Sequence, residues 1–345
     1  MKQPLTLTAF MQATGDGIHI YDMGRRIGPI PLERFHAFEA CQHPWPQPLQ
    51  QQAWFATLFQ PAGENEPLIW FLRLPLDEQG KLIPAARDEL LQILLAEGLE
   101  HGNKADRPTG SGNPYSFHPR DDRLAVFHAH ASTDLGHPPS RYYDHARQYL
   151  SGKLGWDQWP FVGLQGIADV AARLDKQTAD ALAMAIPKLP HEPFVALCQC
   201  LENSNPPASV TLAIDQRLAG NLGNIEETTA AIRGTALSNH PSGQRLVQRI
   251  LDDPVATHPE VLAALSARAW ERLKDATVRE RFLERLAENR AGQPFFDQCL
   301  ADLLFLPGMR APLMESLRRQ DRPPSLEQAV GRFFQNMVAS PPDYS

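Results

Sequence analysis

The feature that most constrains this fold is a change of periodicity. From about residue 140 onward no stretch alternates apolar and polar residues as a half-buried strand does. The chain runs instead through helical segments punctuated by Pro, Gly and Asn, among them "QTADALAMAI", "EPFVALCQCLE", "IEETTAAIRGTAL", "SGQRLVQRILDD" and "TVRERFLERLAENR". Taken in pairs, helix–turn–helix units open near residues 177, 207, 242, 276 and 308. That spacing, roughly 30 to 35 residues, is the range of helical-repeat arrays. One helix pair cannot bury its own apolar face, so such units stack. The pattern predicts an all-α helical-repeat domain, an α-solenoid, over residues 156–340.

The units match one another poorly. The Trp, Leu-Gly and Tyr offsets of tetratricopeptide repeats are missing, as is the ankyrin "TPLH". The array is therefore expected to be similar to degenerate HEAT repeats, with a compact irregular helical bundle as the alternative.

Ahead of it, residues 1–102 mix strand and helix signals, which predicts an α+β module. "LTAFMQATG" reads as a short helix ended by Gly15. "IHIYDM" alternates as a strand does, and "RRIGPI" returns after Gly24 as a second strand. In "PLERFHAFEAC", Leu32, Phe35 and Phe38 share a helical face behind Pro31. "AWFATLFQ" and "PLIWFLRLPL" are aromatic-rich strands joined by a Gly- and Pro-containing turn, and a helix opens at Pro84. Four antiparallel strands with helices packed on one face follow. A polar linker, "HGNKADRPTGSGNPYS", sets the boundary at 103–118, and connecting helices fill 119–155.

Three stretches, "YDMGRRI", "WFLRLPLDEQGKLIPAARDELL" and "WDQWPFVGLQGIADVAARLD", resemble a family of gammaproteobacterial proteins known only as a domain of unknown function. The resemblance runs over most of the chain and implies a bacterial cytoplasmic protein. It implies no activity and no site residues.

Composition narrows the function classes. Of the 345 residues 43% are hydrophobic, enough for a real core, and the formal net charge is −7. A mildly acidic chain is a poor general binder of nucleic acid or anionic membranes. Residues 245–332 hold 14 Lys and Arg against 13 Asp and Glu, interleaved at helical spacing, which reads as a solvated salt-laced face. The four cysteines, with Cys198 and Cys200 spaced C-x-C, read as reduced, buried thiols. The N-terminus lacks the apolar run of a signal peptide, and no stretch is long and apolar enough to span a membrane, so a cytoplasmic location is expected.

No nucleophile elbow, zincin or Walker A pattern occurs, so no catalytic set, metal or cofactor is expected. "RLAVFHAHASTD" poses a question, because His128 and His130 would share one side of a strand and could open a metal site. Pro119, Asp121 and Asp122 in front of it, with Leu124, Phe127 and Ala131 at helical spacing, favour a helix. Residues two apart on a helix are about 200° apart and cannot share an ion.

Two groups of residues are candidates for binding. In the N-terminal module, Asp22, Arg25 and Arg26 surround a tight turn, and Arg73 and Asp77 flank a strand end. Paired guanidiniums can grip a carboxylate or phosphate, or they can pair with Asp22 as structure. In the helical half, Trp156 and Trp159 with Gln165 make either core packing or an aromatic anchor for a partner. The leading expectation is a non-enzymatic adaptor or scaffold that binds another protein. An enzyme or small-ligand sensor in the N-terminal module is the alternative, and nucleic-acid binding on the helical face a weaker one.

Overall fold

The computed structural model describes residues 6–64, 66–97 and 113–339. Most of the linker at 103–118 therefore lies outside the described residues. The chain divides into two compact units, Met1–Phe127 with Phe305–Pro307, and His128–Leu304 with Gly308–Ser345.

The first unit is α+β. Its elements run α1 (Leu7–Thr14), β1 (Gly15–Asp22), β2 (Gly28–Ile30), α2 (Leu32–Glu39), β3 (Gln52–Pro61), β4 (Leu68–Pro75) and α3 (Pro84–Glu97). The strands form one antiparallel sheet in the order β2-β1-β3-β4. Register is fixed by alternation. Leu68, Trp70, Leu72 and Leu74 of β4 are buried on one side, and Ala53, Phe55 and Phe59 of β3 are buried with them. Phe35 and Phe38 of α2 pack here at the spacing read from the sequence. Phe35 stands 5.3 Å from Phe55, and Phe38 stands 4.9 Å from the fully buried Trp45.

The other face of the sheet is covered as well, which differs from a one-sided arrangement. Phe127, at the first half of α4 (Asp121–Asp134), meets Tyr21 at 5.4 Å and Phe71 at 5.3 Å. Phe117 packs on Trp54 at 4.8 Å, and its backbone N–H donates to the Phe71 carbonyl, which closes part of the β4 edge. Gly15 ends α1 as the sequence indicated, but not in the left-handed conformation of a glycine cap. Its φ is −173°, extended rather than left-handed, and it begins β1. A Cβ there would lie 2.2 Å from the Gln60 carbonyl oxygen, so glycine is required by the close approach of β3.

The second unit is helical among its described residues. After α5 (Tyr143–Leu150) come a 3-10 turn (Trp156–Phe161), α6 (Leu164–Ala172), α7 (Lys176–Ala185), α8 (His191–Leu201), α9 (Ala208–Arg217) and α10 (Ile225–Thr235). The run continues through α11 (Pro241–Asp252), α12 (Pro259–Arg268), α13 (Ala276–Ala287), α14 (Gln293–Leu304), α15 (Arg310–Leu317) and α16 (Pro324–Ala339). The first helices of successive pairs open at Lys176, Ala208, Pro241, Ala276 and Arg310, within two residues of the starts read from the sequence.

Each helix packs on the helix two further along. Thus α7 meets α9, α9 meets α11, α11 meets α13 and α13 meets α15, while α6, α8, α10, α12, α14 and α16 form a parallel succession. Starts are set by caps. Asp175, Asn224 and Asp275 accept backbone N–H bonds three residues on, and Pro241 and Pro259 occupy first helical positions.

Helix ends in this unit are joined by arginine. Arg217, in the last turn of α9, donates to the carbonyls of Ile186 (2.8 Å) and Leu189 (2.6 Å). Arg249, in the last turn of α11, donates to the Asp215 carbonyl on α9 (3.0 Å). Arg285, in the last turn of α13, donates to the Leu251 carbonyl on α11 (2.8 Å). A cation placed on the unpaired carbonyls at a helix C-terminus satisfies both hydrogen bonding and the helix dipole.

Candidate functional site

The N-terminal candidates face inward. Asp22 ends β1, and Asp22, Arg25 and Arg26 are all buried. Arg25 Nε donates to the Pro48 carbonyl (2.8 Å), and Asp22 Oδ1 accepts the Gly24 N–H (2.7 Å). Arg123 ties the same turn from outside it, with one Nη donating to the carbonyls of Met23 and Gly24 at 2.7 Å each. Burial pushes the Asp22 carboxyl up to about 7, against the pull of the Gly24 N–H, the Arg123 charge, the Trp45 indole and Arg25. The segment that covers the cluster turns through Gln50 and Gln51, both left-handed at φ 54° and 57°, between the paired residues Leu49 and Gln52.

Arg73 and Asp77 are engaged where they stand. The Arg73 guanidinium lies 5.4 Å from the Trp54 ring centroid, its cross-strand neighbour. Asp77 Oδ1 accepts the N–H groups of Gln79 and Lys81, each at 2.8 Å, and so forms the turn through Gly80, whose φ is +73°.

"RLAVFHAHASTD" is helical, as the residues ahead of it indicated, within α4. His128 is exposed and His130 half-buried. Among the described residues no group of three or more His, Cys, Asp or Glu could hold a metal ion. Cys41, Cys198, Cys200 and Cys299 are free thiols, and burial pushes Cys198 far above its ordinary value, which keeps it unreactive.

Two of the exposed large apolar side chains, Tyr142 and Phe161, stand where the helical unit begins. The segment "WDQWPF" forms a 3-10 turn separate from α6, not the first turn of one long helix. Pro160 lacks the N–H that a continuing helix needs, and Asp157 does not cap the turn, which opens at Gly155. The turn is pinned to α5 by Tyr149. This buried ring lies 5.4 Å from Trp156, edge-on, and 6.1 Å from Trp159, and its hydroxyl donates to the Trp156 carbonyl (3.3 Å).

With Tyr149 filling the space beneath them, Trp156 and Trp159 stay half-exposed, and Phe161 is left 72% exposed. Tyr142, 42% exposed, stands at the start of α5 with the Arg141 guanidinium 4.9 Å from its centroid. Gly163 and Gly166 make room for it. A Cβ on Gly166 would lie 2.4 Å from the Tyr142 carbonyl oxygen and 2.8 Å from the Ala146 Cβ, so only glycine lets α6 lie this close to α5. Gln165 sits between these glycines and is half-buried.

Beside the aromatic residues a small cleft of about 80 Å³ opens between the end of α5 and α7, lined by Arg147, Gln148, Lys153, Val170, Gln177 and Leu182 among others. The structure thus brings Trp156 and Trp159 together on Tyr149, while Gln165 lies on α6 between the glycines. It adds Tyr142, Tyr149, Phe161, Arg147 and Lys153, which the sequence reading did not single out. The doubled tyrosine of "RYYDHARQYL" and the Pro160 break were the available signals.

Among the described residues no helix is long and apolar enough to cross a membrane. A family model described as "Protein of unknown function (DUF3549)" matches residues 2–334. No curated protein and no solved structure matches the chain.

Proposed function

The chain belongs to the DUF3549 family, proteins of unknown function, and we infer that it acts as a non-enzymatic adaptor that binds another protein through the aromatic face at the start of its helical unit. One observation carries this reading. Phe161 is 72% exposed on a turn that Tyr149 holds in place through two indole contacts and a hydrogen bond. An exposed aromatic side chain on a preorganised backbone is the form of a binding hot spot, because little freedom remains to be lost on association.

The reading extends to the architecture. Helices that pack each on the next but one are consistent with a degenerate HEAT-like solenoid, whose stacked pairs offer extended surfaces for protein recognition. The arrangement is taken as an N-terminal α+β module, connecting helices and a repeat domain, working in the bacterial cytoplasm.

Site-specific photo-crosslinking tests it. A benzophenone amino acid placed at Phe161 or Trp159 in the full chain should give one and the same crosslinked partner in the native cell. The same probe at the exposed Glu288 should not. Equal crosslinking from all three positions, or none from Phe161 and Trp159, overturns the reading.

A second reading, a carboxylate or phosphate sensor in the N-terminal module, draws on the buried Asp22–Arg25–Arg26 turn and the left-handed Gln50–Gln51 pair over it. It requires that loop to open. A rise in the thermal midpoint with inorganic phosphate or citrate, abolished in Arg25→Ala, would support it, and no shift would remove it.

A further inference from the structure

We propose that the cleft between α5 and α7 receives an acidic side chain of the partner protein, so that the partner presents an acidic residue beside an apolar or aromatic one. This rests on reading the neighbouring aromatic face as an interaction surface, and it specifies the chemistry of what binds there.

Charge is the first ground. The whole chain is acidic at −7, yet residues 141–153 carry three cations, Arg141, Arg147 and Lys153, and a single carboxylate, Asp144. The cleft itself is lined by Arg147 and Lys153 and by no carboxylate. Lys153 is exposed and forms no ion pair among the described residues. Two acids stand near Arg147. Asp144 pairs with it loosely at 3.5 Å, with its own side chain 76% exposed. Asp175 is engaged as a helix cap, accepting the Thr178 N–H at 2.7 Å. Neither lines the cleft, so an incoming carboxylate meets Lys153 directly and competes at Arg147 with a solvated pair and with the Tyr143 ring, 5.7 Å from the guanidinium.

Shape is the second ground. About 80 Å³ is too small for a cofactor or a drug-sized ligand, which fills several hundred Å³, but it holds one short side chain. Val170 and Leu182 give it an apolar floor, and Gln148 and Gln177 supply amide donors at its walls. Its rim is continuous with the aromatic face. Gly152, between the lining residues Ser151 and Lys153, has φ +72° and lies against the Trp156 ring, 3.5 Å from where its Cβ would be. A peptide leaving the cleft over Gly152 therefore runs directly onto Trp156. A nucleic acid fits less well, since two cations neutralise too few phosphates for firm binding at physiological salt.

The test is a random dodecapeptide display library panned on the full-length protein, followed by anisotropy titration of the resynthesised winners. Enriched peptides should carry Asp or Glu next to an aromatic or aliphatic residue. Their Kd should rise about tenfold or more in Arg147→Ala/Lys153→Ala and also on raising NaCl from 50 to 500 mM. Both replaced side chains are partly exposed, and an unchanged circular dichroism spectrum confirms the fold. Winners without acidic excess, or with equal affinity for the double variant, overturn the proposal. So does displacement of the peptides by a single-stranded oligonucleotide at physiological salt. Phe161→Ser separates the two readings. If it abolishes binding while the double variant does not, the interaction surface stands and the acidic-partner inference falls. If Phe161→Ser has no effect, the interaction surface itself falls.

Discussion

Arg217 and Glu227 form a forked ion pair, with Nε to Oε2 at 3.0 Å and Nη2 to Oε1 at 2.7 Å, and both side chains are nearly buried. The same guanidinium donates to the carbonyls of Ile186 and Leu189 and lies 4.2 Å from the Phe194 ring centroid. Burial alone would push the Glu227 carboxyl up, but Arg217 and His191 together hold it below its ordinary value. One side chain of α9 thus joins the segment that follows α7 to α8 and α10.

Replacing Arg217 therefore has a large cost. Arg217→Ala leaves the buried Glu227 carboxylate with only the longer His191 contact and takes a donor from each of two carbonyls, and it is expected to destabilise the helical unit by about 3 kcal/mol. Arg217→Lys should recover little, because an ammonium cannot reproduce the fork. Urea denaturation followed by circular dichroism measures both.

His191 makes the unit sensitive to pH. Its Nε2 is 2.8 Å from Glu226 and its Nδ1 3.3 Å from Glu227, and the bond to Glu226 raises its pKa above the ordinary value, opposed by partial burial. A raised histidine pKa stabilises the folded state below the unfolded value of about 6.5. The contribution is lost as pH rises through the folded value. Wild type should lose stability relative to His191→Gln over that interval. An NMR titration of His191 with a midpoint at or below 6.5 would contradict this.

Asp22 works in the opposite sense to most carboxylates. Its folded value, about 7, lies above the unfolded value near 3.9, so the native state holds the extra proton between them. Stability from this group is full below pH 4 and falls as pH rises towards 7. Asp22→Asn keeps an oxygen for the Gly24 N–H and removes the charge. It is expected to be more stable than wild type at pH 8, by a few kcal/mol at most, and equal to it at pH 4. Thermal midpoints at the two pH values decide it.

Gly166→Ala tests how tightly α5 and α6 are joined. The added methyl would meet the Tyr142 carbonyl oxygen at 2.4 Å, which is backbone and cannot swing away. A loss of about 1–3 kcal/mol is expected, together with a change in tryptophan emission as the Tyr149–Trp156 contact loosens. Unaltered emission and stability would show that the two helices can separate without cost.

Periodicity made much of this fold legible. Phe35 and Phe38 at helical spacing, alternation in "PLIWFLRLPL", and the proline or polar residues that open four of the five helix pairs all reflect local rules. What was hidden depended on segments distant in the chain. For Arg25 and Arg26 the sequence left a ligand grip and a structural pair with Asp22 open, and nothing local distinguishes a buried arginine turn from a solvated one. Arg25 is held by the Pro48 carbonyl, in a Pro- and Gln-rich stretch with no periodicity to reveal that it reaches this turn. The salt-laced reading of α13 was accurate for Arg281–Glu284 and Arg285–Glu288, both three residues apart. It could not show that Arg285 also reaches the Leu251 carbonyl, 34 residues back. The Trp156–Trp159 pair was visible, but the exposure of Phe161 accompanies a separate 3-10 turn with Pro160 inside it and Tyr149 packed against both indoles.

The arginines that join helix ends give the chain a polarity in time. Ile186 and Leu189 wait for Arg217, Asp215 waits for Arg249, and Leu251 waits for Arg285. In a chain made from the N-terminus forward, the pairs opened by α7, α9 and α11 each leave the ribosome before the arginine that completes these contacts has emerged. Truncation is unequal for the same reason. Shortening from the C-terminal side exposes acceptors at the new end, whereas shortening from the N-terminal side leaves a solvated cation on an otherwise finished pair.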